Sequence, residues 1–253
     1  MITIKTKKDI EIMKVGGKIL KKTLSQVAQL IKPGVDGLTL DNFAYKFITD
    51  NNCVPAFLNY RADFMSMPFP ATLCISKNNV IVHGVPSKKL ILNDGDIVSI
   101  DCGLAYKNLF VDSAITVCVG KVEPRTKKLV RSVKDSLNQA IYTAKVGNTI
   151  GDIGYAIQNQ VEATGFNVIR ELVGHGVGYQ LHEEPEIYNF GIKHSGIKLK
   201  AGYVIAIEPM ATFDRTVVIQ NNEDEFVTAN DQPAAHFEHT IAITDGEPIV
   251  LTK

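Results

Sequence analysis

At 253 residues, 45% hydrophobic and 21% charged, the chain suits one large domain or two small ones, and its composition excludes disordered, fibrous and disulfide-scaffold classes. Its 27 Lys and Arg balance its 27 Asp and Glu, so bulk charge offers no field for holding a nucleic acid or an anionic membrane. Cys53, Cys74, Cys102 and Cys118 form no CxxC pair, and no apolar run reaches the length of a spanning helix or a signal peptide, so a reducing, cytoplasmic setting is expected.

In chain order, apolar positions at Ile10, Met13, Ile19, Leu20, Leu24, Val27, Leu30 and Ile31 predict a helix over 7–31, closed by Pro33-Gly34. A second, shorter helix is expected from near Thr39. The segments GDIVSIDCGL and LFVDSAITVCVG read as strands joined by a polar turn around Tyr106, Lys107 and Asn108. After Pro124, which suits a first helical position, Val130, Val133, Leu137, Ile141 and Ala144 form an apolar stripe that stops at Gly147. Thr149 opens another helix, with Asp152 as its capping-box acid and Gly165 at its end. Further on, YVIAIEPM and AAHFEHTIAIT read as strands separated by a long polar stretch that includes NNEDE.

These elements repeat. KPGVDGLTLDNFAY corresponds to KVGNTIGDIGYA, aligning Thr39 with Thr149, and Leu92-x-x-Gly95-x-x-x-x-Ile100-Asp101 corresponds to Leu199-x-x-Gly202-x-x-x-x-Ile207-Glu208. Two matches at nearly the same spacing predict a duplicated α+β half; the alternative is chance likeness between short amphipathic elements. With no linker between them, the halves, approximately 1–120 and 121–253, are expected to form a single domain with a site between them.

Acids stand where strands should be apolar. A hairpin centred between Tyr106 and Lys107 would set Asp101 directly opposite Asp112, an arrangement that repels unless a cation lies between them. In the second half Glu208 and Glu238 would pair only in a register centred on Glu223, which one bulge in the long arms would shift. A lone strand acid often faces solvent. Four on related strands are more simply neutralised by a divalent ion, or by two that share carboxylates.

His83 in VIVHGVP and His175 in LVGHGVG each follow an apolar run and precede Gly, which allows close approach of substrate or backbone. His182 opens HEEPEI, which lacks the HExxH spacing of a zinc-protease helix. Strand alternation puts His236 on the Glu238 face and His239 on the other, and either could orient a metal ligand. His194, in GIKHSGIK, reads as a loop residue without a role.

Taken together, VIVHGVP, LNDGDIVSIDCG, VDSAIT, LVGHGVGYQLHEEP, VIAIEPM and FEHTIAITDG resemble the type I methionine aminopeptidases, over almost the whole chain. The resemblance implies the α+β pita-bread (creatinase/aminopeptidase) fold, with two pseudo-twofold-related halves of antiparallel strands flanked by helices. It places the metal ligands on Asp101, Asp112, His175, Glu208 and Glu238, with Asp112 and Glu238 bridging two divalent ions (Co, Mn, Fe or Zn) and Glu208 shuttling a proton. It also implies substrate-handling roles for His83 and His182, and a methionine pocket from Tyr60, Phe69, Cys74, Leu181 and Phe226, with Phe57 nearby. An aminopeptidase that removes the initiator methionine of peptides and nascent chains, with a small second residue preferred, follows from the same resemblance. So do a monomer near the ribosome and independence from nucleic acid and membrane. An X-Pro peptidase of the same fold and a non-catalytic relative are the competing readings.

Overall fold

The computed structural model describes residues 2–62 and 65–253; within NYRADFMSMPFPATLC, Asp63 and Phe64 lie outside the described residues. In chain order the elements are α1 (Lys7–Leu30), α2 (Gly37–Asp50), β1 (Val54–Pro55), β2 (Leu73–Lys77), β3 (Val80–Val82), β4 (Ile97–Tyr106), β5 (Leu109–Cys118), α3 (Pro124–Thr143) and α4 (Ile150–Ala163). There follow β6 (Asn167–Val168), β7 (Val173–Gly176), β8 (Glu183–Tyr188), β9 (Val204–Ile207), β10 (Met210–Thr212), β11 (Val218–Gln220), β12 (Phe226–Thr228), β13 (Ala234–His236), β14 (His239–Ala242) and β15 (Ile249–Val250). All strand pairs are antiparallel, giving the α+β class expected from the sequence.

The helices start where side chains can satisfy their free N–H groups. Thr149 and Asp152 form the anticipated capping box at α4, and Thr6 with Asp9 forms a second one at α1. Pro124 opens α3 as expected, but that helix ends at Thr143, short of Gly147. The second helix begins near Thr39 as expected, opening at Gly37 because Asp36 caps it and accepts the Thr39 N–H at 2.9 Å.

The first hairpin corrects the expected register. Lys107 (φ 50°) and Asn108 (φ 63°) both adopt the left-handed conformation of a two-residue turn, so Tyr106 pairs with Leu109. Asp101 therefore faces Ala114, and Asp112 faces Gly103. The two acids stay on one face as diagonal neighbours.

The second half holds one long hairpin whose register never shifts between its arms. Ile207 faces His239, Met210 faces His236 and Val218 faces Thr228, with the tip at 221–225. The same register carried across the break after β9 sets Glu208 opposite Glu238, so the bulge that could have displaced them is absent.

Two apolar cores support this framework. Leu20, Leu24, Leu40 and Ile48 of α1 and α2 pack on Ile75, Ile100, Leu104 and Val111. Leu137, Ile153 and Ile157 of α3 and α4 pack on Ile187, Ile205, Ile207 and Ile241. The cores meet along β5, where Glu238 N donates to Ala114 O at 2.9 Å.

Candidate metal centre

Small hydroxyl side chains lock this seam. The Asp112 N–H donates to Thr240 Oγ1 at 2.9 Å, and that hydroxyl donates back to Asp112 O at 2.8 Å. Ser113 Oγ donates to Glu238 O at 2.7 Å, and Thr116 Oγ1 donates to His236 O at 2.7 Å while accepting the His236 N–H at 2.9 Å. Backbone groups of β5 and of 236–240 are thereby fixed against one another, and Asp112 of β5 and Glu238, in the break between β13 and β14, converge. One donor atom each from Asp112, His175 and Glu238 lies within 4.8 Å of the others.

His175 sits in β7, beside β9. Its Nδ1 lies 2.9 Å from Gly176 O and donates to it, which leaves Nε2 as the free lone pair, 3.6 Å from Glu208 Oε1. His236 Nε2 lies 3.4 Å from Glu208 Oε2. Burial lowers both imidazoles, His175 to about 4 and His236 to about 3, so both are neutral near pH 7 and bring no positive charge.

Crowded together, the acids resist ionisation. Burial, with Glu208 adding to it, raises Asp112 to about 7, and burial raises Glu208 to about 8. Asp101 and Glu238 are likewise raised well above the ordinary carboxylate range, by burial first and then by their acidic neighbours. Asp101 Oδ1 and Glu238 Oε1 are buried without a hydrogen-bond partner. Carboxylate oxygens held together, two of them unsatisfied, beside a neutral imidazole lone pair, form the donor set that a hard or borderline divalent cation completes.

The five expected ligands thus gather at the floor of one cleft of about 970 Å³. His83 and His182 line it too. His83 follows β3 with φ 62°, its ring 5.4 Å from that of Phe226. The His182 ring stands 4.3 Å from that of His175, and its Nδ1 lies 2.6 Å from Tyr60 Oη. Although its side chain opens into the cleft, loss of solvent against the walls still lowers its pKa, with His175 adding to the effect. His194 lies with its side chain 85% exposed, outside the cleft.

One wall is apolar, formed by Phe57, Tyr60, Phe69 and Cys74, and Phe226 also borders the cleft. Leu181 belongs to the same packed cluster but does not line the cavity; it and Phe57 crowd the side of Gly103 where a Cβ would sit 2.7 Å from Phe57 Cε1. Sequence reasoning missed Met65 and Met210 on the cleft surface, and the hydroxyls of Ser113, Thr116 and Thr240 at the seam. Those hydroxyls follow no motif, and only the contact between sheets reveals them.

The model for metallopeptidase family M24 matches residues 11–245. The methionine aminopeptidase of Clostridium acetobutylicum is 40% identical over 253 residues, covering 100% of this chain and 99% of its own. A methionine aminopeptidase from Thermotoga maritima superposes with a TM-score of 0.95 at 39% identity, covering 100% of both chains. The prolidase from Pyrococcus horikoshii superposes with a TM-score of 0.77 at 25% identity, and the match covers 99% of this chain but 63% of the prolidase.

Proposed function

The chain belongs to metallopeptidase family M24, among its methionine aminopeptidases, and is a metal-dependent hydrolase; we propose that its cleft releases the first methionine from peptides and nascent chains in the cytoplasm. The observation that carries this reading is the convergence of buried Asp112 and Glu238, partly buried Asp101 and Glu208, and a neutral histidine on a cleft with an apolar wall. Full-length coverage of methionine aminopeptidases, against partial coverage of a prolidase, favours methionine over X-Pro substrates.

Asp101, Asp112, His175, Glu208 and Glu238 would hold two divalent ions, of which Co, Mn, Fe and Zn all suit the donor set. When bound, such ions supply the Lewis acidity that makes a water molecule nucleophilic near neutral pH. The protein's own side chains do the rest. Tyr60, Phe69, Cys74 and Phe226 offer an apolar, polarisable surface to an unbranched thioether, with Leu181 and Phe57 fixing that wall from behind. Neutral His182, oriented by Tyr60, donates toward the scissile carbonyl oxygen, and His83 contacts the peptide nitrogen. Glu208, whose two carboxylate oxygens stand 3.6 Å from His175 and 3.4 Å from His236 at the edge of the metal centre, suits the shuttle of a proton to the departing amine. A small second residue is preferred on this reading.

The test strips the protein with chelator, restores single metals and measures methionine release from Met-Ala-Ser, with Ala-Pro as the contrasting substrate. Restored cleavage of Met-Ala-Ser alone supports the proposal. Cleavage of Ala-Pro alone transfers the assignment to an X-Pro peptidase, and no metal binding by titration removes the hydrolase reading.

A further inference from the structure

The turn that carries His182 between β7 and β8 is held by the first residues of the chain. Lys5, immediately before the capping Thr6 of α1, is 3% exposed, and its Nζ donates to Glu183 Oε2 at 2.6 Å. Thr3 Oγ1 donates to the same oxygen and accepts from Lys5 Nζ. The other oxygen, Glu183 Oε1, accepts the N–H groups of Tyr179 at 2.6 Å and Gln180 at 2.9 Å. One carboxylate therefore closes the 179–183 turn upon itself and ties it to the N-terminal segment.

Other contacts reinforce the tie. The Lys5 stem passes over Gly178, whose φ is 149° and where a Cβ would sit 2.3 Å from Lys5 Cε. The Lys5 N–H donates to Gly202 O at 2.8 Å, and Tyr179 Oη donates to Asp9 Oδ2, the acid of the α1 capping box, at 2.8 Å. The ammonium thus has a fixed stem and a fixed target, and that target, Glu183, directly follows the cleft histidine His182 in the chain.

We propose that Lys5 is a positioning residue, acting through Glu183 to fix the 179–183 turn and so the place of the His182 ring beside the metal centre. The inference rests on the reading of His182 given above. A purely structural anchor would contribute stability alone, whereas a positioning residue must act on the rate through His182.

The deciding experiment is a double-mutant cycle on the full, metal-loaded protein with Met-Ala-Ser as substrate. Lys5→Met is expected to lower kcat about tenfold with KM changed less than about twofold. In a His182→Ala background the same change should alter kcat by less than about twofold, because the ring it places is gone. Calorimetric Mn²⁺ affinity should stay within about twofold throughout. An unchanged kcat in Lys5→Met, or losses that multiply in the His182→Ala background, overturns the proposal. If Lys5→Met does not fold, Glu183→Gln enters the same cycle with the same expectations. Exchange of the Tyr179 and Gln180 amide hydrogens should accelerate at least about tenfold in either variant, and unchanged exchange overturns the clamp. Wild-type protein without methionine release, or His182→Ala with full kcat, faults the functional reading instead, and the exchange result then judges the clamp by itself.

Discussion

Two sets of desolvated carboxyl groups border the same cleft and titrate in opposite directions. Burial raises Glu183, but hydrogen bonds from Lys5, Thr3 and the Gln180 N–H outweigh it and leave the carboxyl below its ordinary value. Burial raises Asp101, Asp112, Glu208 and Glu238 as well, and there the neighbours are other acids or neutral imidazoles, so nothing reverses it. Desolvation is common to both sites; the partner decides the sign. Glu183 is complete within the protein, and the cluster is complete only with cations from outside.

The largest effect expected from breaking this contrast comes from Asp112→Asn. It should lower metal-dependent methionine release by about 10³-fold or more, yet stabilise the chelator-stripped protein at pH 8 by about 1 kcal/mol, as denaturant titration would show. Glu183→Gln should instead destabilise the fold by about 3 kcal/mol, because Lys5 is left buried without its charge partner, while lowering kcat only about tenfold. His182→Ala removes a cleft group that belongs to neither acid site, and should lower kcat about 10²-fold with calorimetric metal affinity unchanged.

A pH series sharpens the comparison without mutation. Acids whose folded pKa is raised bind more protons folded than unfolded, so above about pH 7, where the buried histidines are neutral in both states, stripped protein should lose stability as pH climbs past Asp112 (about 7) and Glu208 (about 8). The contribution of Glu183, whose folded pKa is depressed, is present above its unfolded value and disappears only as pH falls below it. Saturating metal should flatten the alkaline loss, measured as midpoint temperature against pH, and a stripped protein equally stable at about pH 7 and 9 would refute the assignment of the cluster. The smallest effect is Thr149→Ala, about 1 kcal/mol from losing one capping box remote from both sites.

The sequence exposed the cluster because charge in a strand violates its alternation, and Asp101, Asp112, Glu208 and Glu238 each interrupt an apolar run. The Thr149 cap and Pro124 start were legible for a similar reason, each being a local signal with a local cause. The first hairpin's register was not, since it depends on Lys107 and Asn108 both taking positive φ, where neither is glycine. Asp36 as the α2 cap was missed because Thr39 is an equally good capping type three positions later. Lys5 and Glu183 are 178 positions apart. Nothing in a linear pattern distinguishes that lysine from the exposed ones beside it.

The uninterrupted register of the hairpin running from β9 to β14 also dictates which changes of length a descendant gene can tolerate. Adding or deleting residues at the tip, 221–225, leaves every rung below it matched. A single-codon insertion between Glu208 and that tip would instead offset one arm against the other, turning the carboxyl of Glu208 or of Glu238 toward the wrong side of the sheet. Lineages of this enzyme should therefore vary at the loop's end and keep a fixed count along its arms.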